Sequence, residues 1–189
     1  NLAAAVPGKK DFFNLVKSFE KRMQVNGVNV NLQTALTAYD IEEKRPDVLV
    51  VASGAIPAPM NVQGIDHPHV ITAWDVLSDK APKIGNRVII VGGSATGCET
   101  ALYVANLGVL DPETFTFLAY HSVDDTDKIR GLLYKPGRRI TVIDVMERFA
   151  VNMGPSTRWP LMKRLKLMGI DFRPRTKLVE ITEDAVKVE

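Results

Sequence analysis

A single stretch in the middle of the chain restricts its possible folds more than any other. Residues 87–91 are mostly β-branched, as in a strand that is covered on both faces. Gly92 follows where the chain must turn sharply, and Gly97 stands where a helix must approach the strand closely. An apolar helical pattern then continues to about Leu107 and ends at Gly108. A strand, a glycine-rich turn and a helix in this order predict a unit of the Rossmann type, which directs the N-terminus of its helix at a pyrophosphate.

The turn itself has the pattern G-x-S-x-x-G, in which Ser94 takes the place of the middle glycine. A glycine there normally lets the backbone approach the pyrophosphate closely. The serine hydroxyl can bind a phosphate instead, and Gly93 beside it supplies backbone freedom. We assign Gly97 to helix packing. The pyrophosphate contacts are assigned to Gly92, Gly93, Ser94, Ala95 and Thr96.

A second strand, residues 139–144, ends in an acid. Asp144 can bind the 2′-hydroxyl of an adenosine ribose, which favours NADH and makes NADPH the less favoured cofactor. This acid normally follows the glycines by about 20 residues. The interval is longer here, so residues from about 109 to 137 are predicted to be an insertion. Arg148 is either near the adenosine or a surface cation, and Glu99, in the first helical turn, can simply stabilise the helix dipole.

Composition argues against several other classes of protein. The 189 residues are 46% hydrophobic and 24% charged, and a net charge of only +2 gives no electrostatic basis for binding nucleic acid or a membrane. No apolar run approaches the length of about 18 residues that indicates a membrane span, and the three histidines lack metal-ligand spacing. Cys98 is the only cysteine, which excludes an intramolecular disulfide, and we expect it to be buried behind Gly97. These observations indicate a cytoplasmic protein.

Helical and strand patterns alternate along the chain, which predicts an α/β fold with a parallel sheet. Helices are predicted at residues 10–24, 73–77 (capped by Thr72), 95–107, 111–120, 124–133 and 154–168. Strands are predicted at residues 28–32, 48–52, 87–91, 139–144, 170–172, 178–181 and 186–188. The basic residues of the last helix, Arg158 among them, are interpreted as a solvated face. The chain starts without methionine and stops within a strand pattern, so we expect it to be part of a longer parent chain, whose remainder is its partner.

Four stretches occur in an order that is typical of one enzyme family. They are residues 2–9, residues 46–57 with the turn Ser53-Gly54-Ala55, residues 70–77, and residues 88–101 together with Asp144. In this combination the chain resembles the C-terminal flavin- and nicotinamide-binding region of the NADH:flavin oxidoreductases related to 2,4-dienoyl-CoA reductase and 2-enoate reductase. The resemblance covers nearly the whole chain. Ser53, where threonine is usual, and Ser94 depart from the family pattern.

The resemblance implies a Rossmann-like FAD/NAD(P)-binding fold in three layers, a parallel sheet with helices on both faces. It implies a partial FAD-binding domain at residues 1–57, a connecting segment at 58–84 and an NAD(P)-binding domain at 85–189. Family members pass hydride from a nicotinamide cofactor to FAD, and electrons then cross a 4Fe-4S cluster to FMN in a TIM barrel, where an activated double bond is reduced. This chain has no four-cysteine motif and is too short for the barrel, so FMN and the cluster would belong to missing parts.

The resemblance also implies the roles of further residues. Gly54 and Ala55 would touch the flavin, and Glu99 would face the nicotinamide. The predicted function is the transfer of hydride from NADH to FAD, for the reduction of an enoate or enoyl-CoA type substrate in the missing barrel. The isolated chain would then be inactive and would not retain FAD. The alternatives are an NAD-binding regulatory domain without turnover and an interaction domain whose site is lost; a methyltransferase is disfavoured, because residues 50–54 have no role in one.

Overall fold

The computed structural model describes residues 2–78, 80–81 and 83–189. The elements in chain order are α1 (Leu2–Ala5), α2 (Phe12–Val25), α3 (Ala38–Lys44), α4 (Ala73–Leu77), β1 (Arg87–Val91), α5 (Ala95–Asn106), α6 (Pro112–Tyr120), α7 (Thr126–Gly131), β2 (Arg139–Ile143), α8 (Pro155–Leu167), β3 (Asp171–Arg173), β4 (Leu178–Ile181) and β5 (Val186–Val188). All the helices predicted from the sequence are present, with shifts of a few residues at their ends.

The central sheet is parallel, in the order β1-β2-β3. Val88 pairs with Ile140, and Ile90 pairs with Val142, which in turn pairs with Phe172. Because the three strands run in the same direction, their carboxyl ends lie at one edge of the sheet. The α/β Rossmann-like fold with a parallel sheet is therefore confirmed.

The main core lies between this sheet and the helices α5 and α8. Side chains of a strand alternate between its two faces, and Ile140 and Val142 of β2 both point into this core. Cys98 of α5 and Leu165 of α8 meet them there with no exposed surface. Cys98 is thus buried, as predicted.

The opposite face of the sheet is covered at β2 by an antiparallel hairpin of β4 and β5. Ile143 is the last residue of β2 and points away from Val142, into a second small core with Leu178 and Ile181 of β4. The parallel sheet therefore lies between a helical layer and a β-hairpin layer. Ile89 of β1 remains 44% exposed on that face.

Local sequence signals explain where the shorter helices begin. Thr72 precedes α4, and its hydroxyl oxygen accepts the Asp75 N–H at 3.1 Å, which confirms the predicted cap. Asp111 precedes α6, where it accepts two backbone N–H groups, and hydrogen bonding holds the pKa of its carboxyl below the usual value. Residues 109–137 thus fold as two helices, α6 and α7, tied together where Leu110 N donates to Leu132 O at 3.1 Å.

Two predicted strands, at residues 28–32 and 48–52, are absent from the described part of the chain. The second prediction called for a buried strand, yet Val50 and Val51 are each 79% exposed. A strand needs a neighbour to accept and donate its backbone hydrogen bonds. Among the described residues no segment pairs with this one, so its apolar sequence alone does not make it a strand.

Helix α2 forms as predicted, but its apolar stripe is not buried. Five of its large side chains are between 40% and 48% exposed: Phe12, Phe13, Leu15, Val16 and Phe19. Together with residues 48–51 they leave much of the N-terminal third of the chain apolar at its surface. In the described part of the chain, no helix has the length and apolar character needed to cross a membrane.

Candidate functional site

The candidate site lies where the carboxyl ends of β1 and β2 meet. Gly92 follows β1 with a φ of +98°, a backbone conformation that side-chain-bearing residues rarely adopt. Its N–H donates to the carbonyl oxygen of Ile143, the last residue of β2, at 2.9 Å. The sharp turn predicted at this position is present, and it is fixed to the neighbouring strand.

The other two glycines of the turn allow close packing. A Cβ atom on Gly97 would stand 1.8 Å from the carbonyl oxygen of Gly92, so α5 approaches the end of β1 as closely as backbone atoms allow. A Cβ atom on Gly93 would stand 2.1 Å from a ring carbon of Phe149. A side chain at Gly97 would therefore force the backbone of Gly92 to shift, and one at Gly93 would displace the ring of Phe149.

The N-terminus of α5 carries backbone donors that are free to bind a ligand. Ser94 precedes the helix and its side chain forms no capping bond. Within the described residues, the N–H groups of Ser94, Thr96 and Gly97 have no acceptor. Unpaired N–H groups and the positive end of the helix dipole together favour an anion at this point.

Asp144 lies directly beside this turn, as the parallel pairing of β1 and β2 requires. One carboxylate oxygen accepts the Gly93 N–H at 2.5 Å, and the other accepts the N–H of Met146 at 2.7 Å. Asp144 therefore joins the glycine turn to the loop after β2, a role that the sequence did not indicate. Each oxygen of a carboxylate can accept more than one hydrogen bond, so capacity for a ligand hydroxyl remains.

The loop after β2 contributes residues that the sequence analysis missed. Ala150 N donates to Gly93 O at 2.7 Å, and Asn152 Oδ1 accepts the Ala95 N–H at 3.0 Å. Phe149 fills the space over Gly93 and packs against Phe172, with the two rings tilted by 57° and 4.8 Å between their centroids. The contacts of this loop with Gly93 and Ala95 join positions more than fifty residues apart, so no local pattern could have shown them.

Arg158 was interpreted as part of a solvated helix face, and the structure corrects this. It lies in the first turn of α8, is partly buried, and donates from Nε to the carbonyl oxygen of Phe149 at 2.9 Å. The guanidinium provides the donor for the Phe149 carbonyl, which receives no backbone N–H in the described part of the chain. Arg158 therefore supports the loop that closes against the glycine turn.

Cys98 is buried beside the glycine turn, and its thiol is unreactive. Its Sγ donates to Gly93 O at 3.4 Å, and burial raises the pKa of the thiol to about 11. The thiol is therefore protonated near neutral pH, where a thiolate would be needed for nucleophilic or metal-binding chemistry. Among the described residues, no group of three or more side chains could hold a metal ion.

Glu99 forms an ion pair with Lys9, ninety positions earlier in the chain. The two side chains are 15% and 28% exposed, so the pair is partly shielded from water. It joins the N-terminal segment, with its buried Ala4 and Val6, to the second turn of α5. The predicted place of Glu99 in the first helical turn is wrong, because α5 begins at Ala95 and Glu99 is its fifth residue; its partner is Lys9.

The remaining predicted residues lie outside this constellation. Gly54 and Ala55 belong to an exposed segment without helix or strand, and Gly54 has a φ of +79° with open space around it. Arg148 is exposed on the loop after β2. The structure therefore brings together Asp144 and the whole glycine turn, and leaves the two flavin-side residues apart in solvent.

Known proteins resemble large parts of the chain or all of it. The sequence pattern of the pyridine nucleotide-disulphide oxidoreductases matches residues 4–189. A metal reductase of Desulforamulus reducens is 35% identical over 100% of this chain, which spans 29% of that protein. A cinnamate reductase of Clostridium sporogenes is 36% identical over 54% of this chain and 16% of its own length.

One solved structure has the same fold across the entire chain. A 2-naphthoyl-CoA reductase superimposes with a TM-score of 0.73 and 22% sequence identity, covering 100% of this chain and 24% of that protein. The present chain therefore spans less than a third of the length of each of these relatives.

Proposed function

Because the chain belongs to the pyridine nucleotide-disulphide oxidoreductase family, we propose that it binds a nicotinamide dinucleotide at the glycine turn, as part of an NAD(P)H:flavin oxidoreductase. The observation that supports the proposal most strongly is at the N-terminus of α5. There the N–H groups of Ser94, Thr96 and Gly97 have no acceptor in the described structure. An acid, Asp144, stands beside it. Backbone N–H groups can bind the oxygens of a pyrophosphate, and a carboxylate beside them can bind the hydroxyl of the adjoining ribose.

In this proposal the pyrophosphate and the adenosine ribose are bound by different parts of the site. The pyrophosphate oxygens would accept the free N–H groups of α5, and Asp144 would accept the 2′-hydroxyl of the adenosine ribose. A 2′-phosphate in that position would face a carboxylate of the same charge, which favours NADH over NADPH. Arg148 is exposed on the same loop, where it would weaken this preference without reversing it.

The proposed domain arrangement places residues 1–57 in a partial FAD-binding domain, 58–84 in a connection and 85–189 in the nicotinamide-binding domain. The Lys9–Glu99 pair supports it, because it joins the first of these segments to the helix that begins at the glycine turn. Residues 48–55 would become part of the FAD-binding domain by pairing with strands from other parts of the parent protein. When FAD is bound, it accepts the hydride; the chain's own residues would orient the two cofactors and exclude water.

The electron acceptor of the whole protein is proposed to be an enoate or enoyl-CoA type substrate. The similarity to a cinnamate reductase supports this class, since cinnamate is an α,β-unsaturated acid. The similarity to a metal reductase shows that acceptors differ among relatives of this chain. FMN and a 4Fe-4S cluster would lie in parts of the protein beyond this chain.

Calorimetric titration with NADH and NADPH tests the proposal. The unsubstituted chain should bind NADH more tightly than NADPH. Asp144→Asn, which keeps an acceptor for Gly93 but loses the charge, should bind NADH about fivefold to tenfold less tightly and lose most of the discrimination. Asp127→Asn on α7 is the matched control, because that side chain is exposed and pairs only with Arg130. Failure of the unsubstituted chain to bind either nucleotide would refute the proposal.

A further inference from the structure

One backbone donor in the first turn of α5 is already occupied. Ala95 N donates to Oδ1 of Asn152 at 3.0 Å, whereas the N–H groups on either side, of Ser94 and Thr96, find no acceptor in the described structure. The residue that precedes a helix usually accepts the N–H of the second or third helical residue, and Ser94 forms no such bond. Ala95 is the first residue of α5, so its N–H lies outside the reach of ordinary capping. The acceptor comes instead from a side chain in another loop.

Asn152 is held in place by its neighbours in the loop after β2. Ala150 N donates to Gly93 O at 2.7 Å, and Met153 N closes a turn onto Ala150 O at 3.2 Å. Ala150 adopts a φ of +53°, which is uncommon for a residue with a side chain. The backbone of the loop is therefore fixed to the glycine turn, while the side chain of Asn152 is exposed and is bound through Oδ1 to Ala95 N.

The chemistry of the carboxamide suits a site that alternates between empty and occupied. Its oxygen now accepts the N–H of Ala95, a residue assigned from the sequence to the pyrophosphate contacts together with its neighbours. A carboxamide also carries two N–H donors, so after a rotation it can donate to the phosphate that displaces its oxygen. A carboxylate in the same place could only accept, and it would repel the phosphate.

We propose that Asn152 is a positioning residue of the dinucleotide site, holding the Ala95 N–H while the site is empty and donating from Nδ2 to the pyrophosphate when a ligand takes over that N–H. This inference rests on the proposed function, and it adds a polar group from the loop after β2 to the backbone donors of α5. The pyrophosphate would then be bound both by the N-terminus of α5 and by the loop after β2.

Binding of ADP-ribose and of adenosine, measured by calorimetry on the full chain, tests the inference. ADP-ribose contains the pyrophosphate and adenosine does not. Asn152→Ala should raise the Kd for ADP-ribose about fivefold, because the charge-assisted bond to the phosphate that is lost is stronger by about 1 kcal/mol than the neutral bond to Ala95 that it replaces. Asn152→Asp should raise it about a hundredfold, and high salt should reduce that effect by screening the repulsion. The Kd for adenosine should be unchanged in both variants.

Asn26→Asp is the matched control, because it introduces the same charge at an exposed position at the end of α2 and should not change either Kd. Asn152→Gln keeps the carboxamide and should recover part of the affinity. An Asn152→Ala variant that binds ADP-ribose as tightly as the unsubstituted chain, or more tightly, would overturn the inference. So would an equal loss of adenosine binding, which would indicate a general distortion. If the unsubstituted chain binds neither NADH nor ADP-ribose, the proposed function fails, and this inference fails with it.

Discussion

The close approach of α5 to the glycine turn makes Gly97→Ala a severe substitution. The new methyl carbon would stand 1.8 Å from the Gly92 carbonyl oxygen, whereas ordinary contact begins at 3.4 Å. The helix and the end of β1 would therefore have to separate by roughly 1.5 Å, and no rotamer relieves the clash because both atoms are fixed to the backbone. Overpacking of this kind costs about 3 kcal/mol. In a chain of this length that lowers the Tm by about 6–12 °C.

Thermal unfolding followed by far-ultraviolet circular dichroism measures this effect. Gly131→Ala is the matched control, because Gly131 ends α7, has an ordinary φ and has open space where a Cβ would lie. That substitution should raise stability slightly, by up to about 1 kcal/mol. If Gly97→Ala unfolds at the temperature of the unsubstituted chain, the helix is not pressed against the turn and the reasoning is refuted.

The buried thiol, the Lys9–Glu99 pair and the exposed apolar segment each have a measurable consequence. Burial raises the pKa of Cys98 from 9.0 to about 11, so as the pH rises the thiol ionises in the unfolded chain before it does in the folded one. The free energy of unfolding should therefore fall between these two pH values. Urea titrations of Cys98→Ala should lack this part of the fall. A double-mutant cycle with Lys9→Met and Glu99→Gln should give a coupling free energy of about 1 kcal/mol, and a value near zero would show that the pair does not form. Val51→Ser should change the free energy of unfolding by less than about 0.5 kcal/mol, whereas Val142→Ser should lower it several times more; similar urea midpoints for the two would contradict the exposed placement of residues 48–52.

The features that sequence analysis predicted correctly depend on neighbouring residues. The strand at 87–91, the turn at Gly92 and the helix after Ser94 each follow from side chains within a few positions. The acid at Asp144 was also placed correctly, because parallel strands bring their carboxyl ends to one edge whatever the length of the connection between them. Fold class and the centre of the candidate site were therefore predictable.

The features that were wrong or missed depend on distant partners. Residues 48–52 have the composition of a buried strand, but a strand exists only where another segment pairs with it. The side chains of Asn152 and Arg158 form hydrogen bonds with backbone groups of Ala95 and Phe149, which lie outside their immediate sequence neighbourhood. The residues next to them in the sequence therefore do not indicate these roles. A polar residue in a loop is usually exposed, and only the three-dimensional arrangement shows which of them hold a loop in place.

The segment of residues 109–137 begins and ends at neighbouring points of the fold. A Cβ atom on Gly108 would stand 3.2 Å from the backbone nitrogen of Gly137, so the two ends of the segment are neighbours. Helix α5 runs back along the sheet, which puts this junction at the edge opposite the glycine turn. The segment is therefore a removable module: joining Gly108 to Gly137 through a short linker, or exchanging α6 and α7 for another small domain, should leave the five-position register of β1 on β2 in place. A designer could thus attach a reporter or a second protein there while the far edge of the sheet keeps its arrangement.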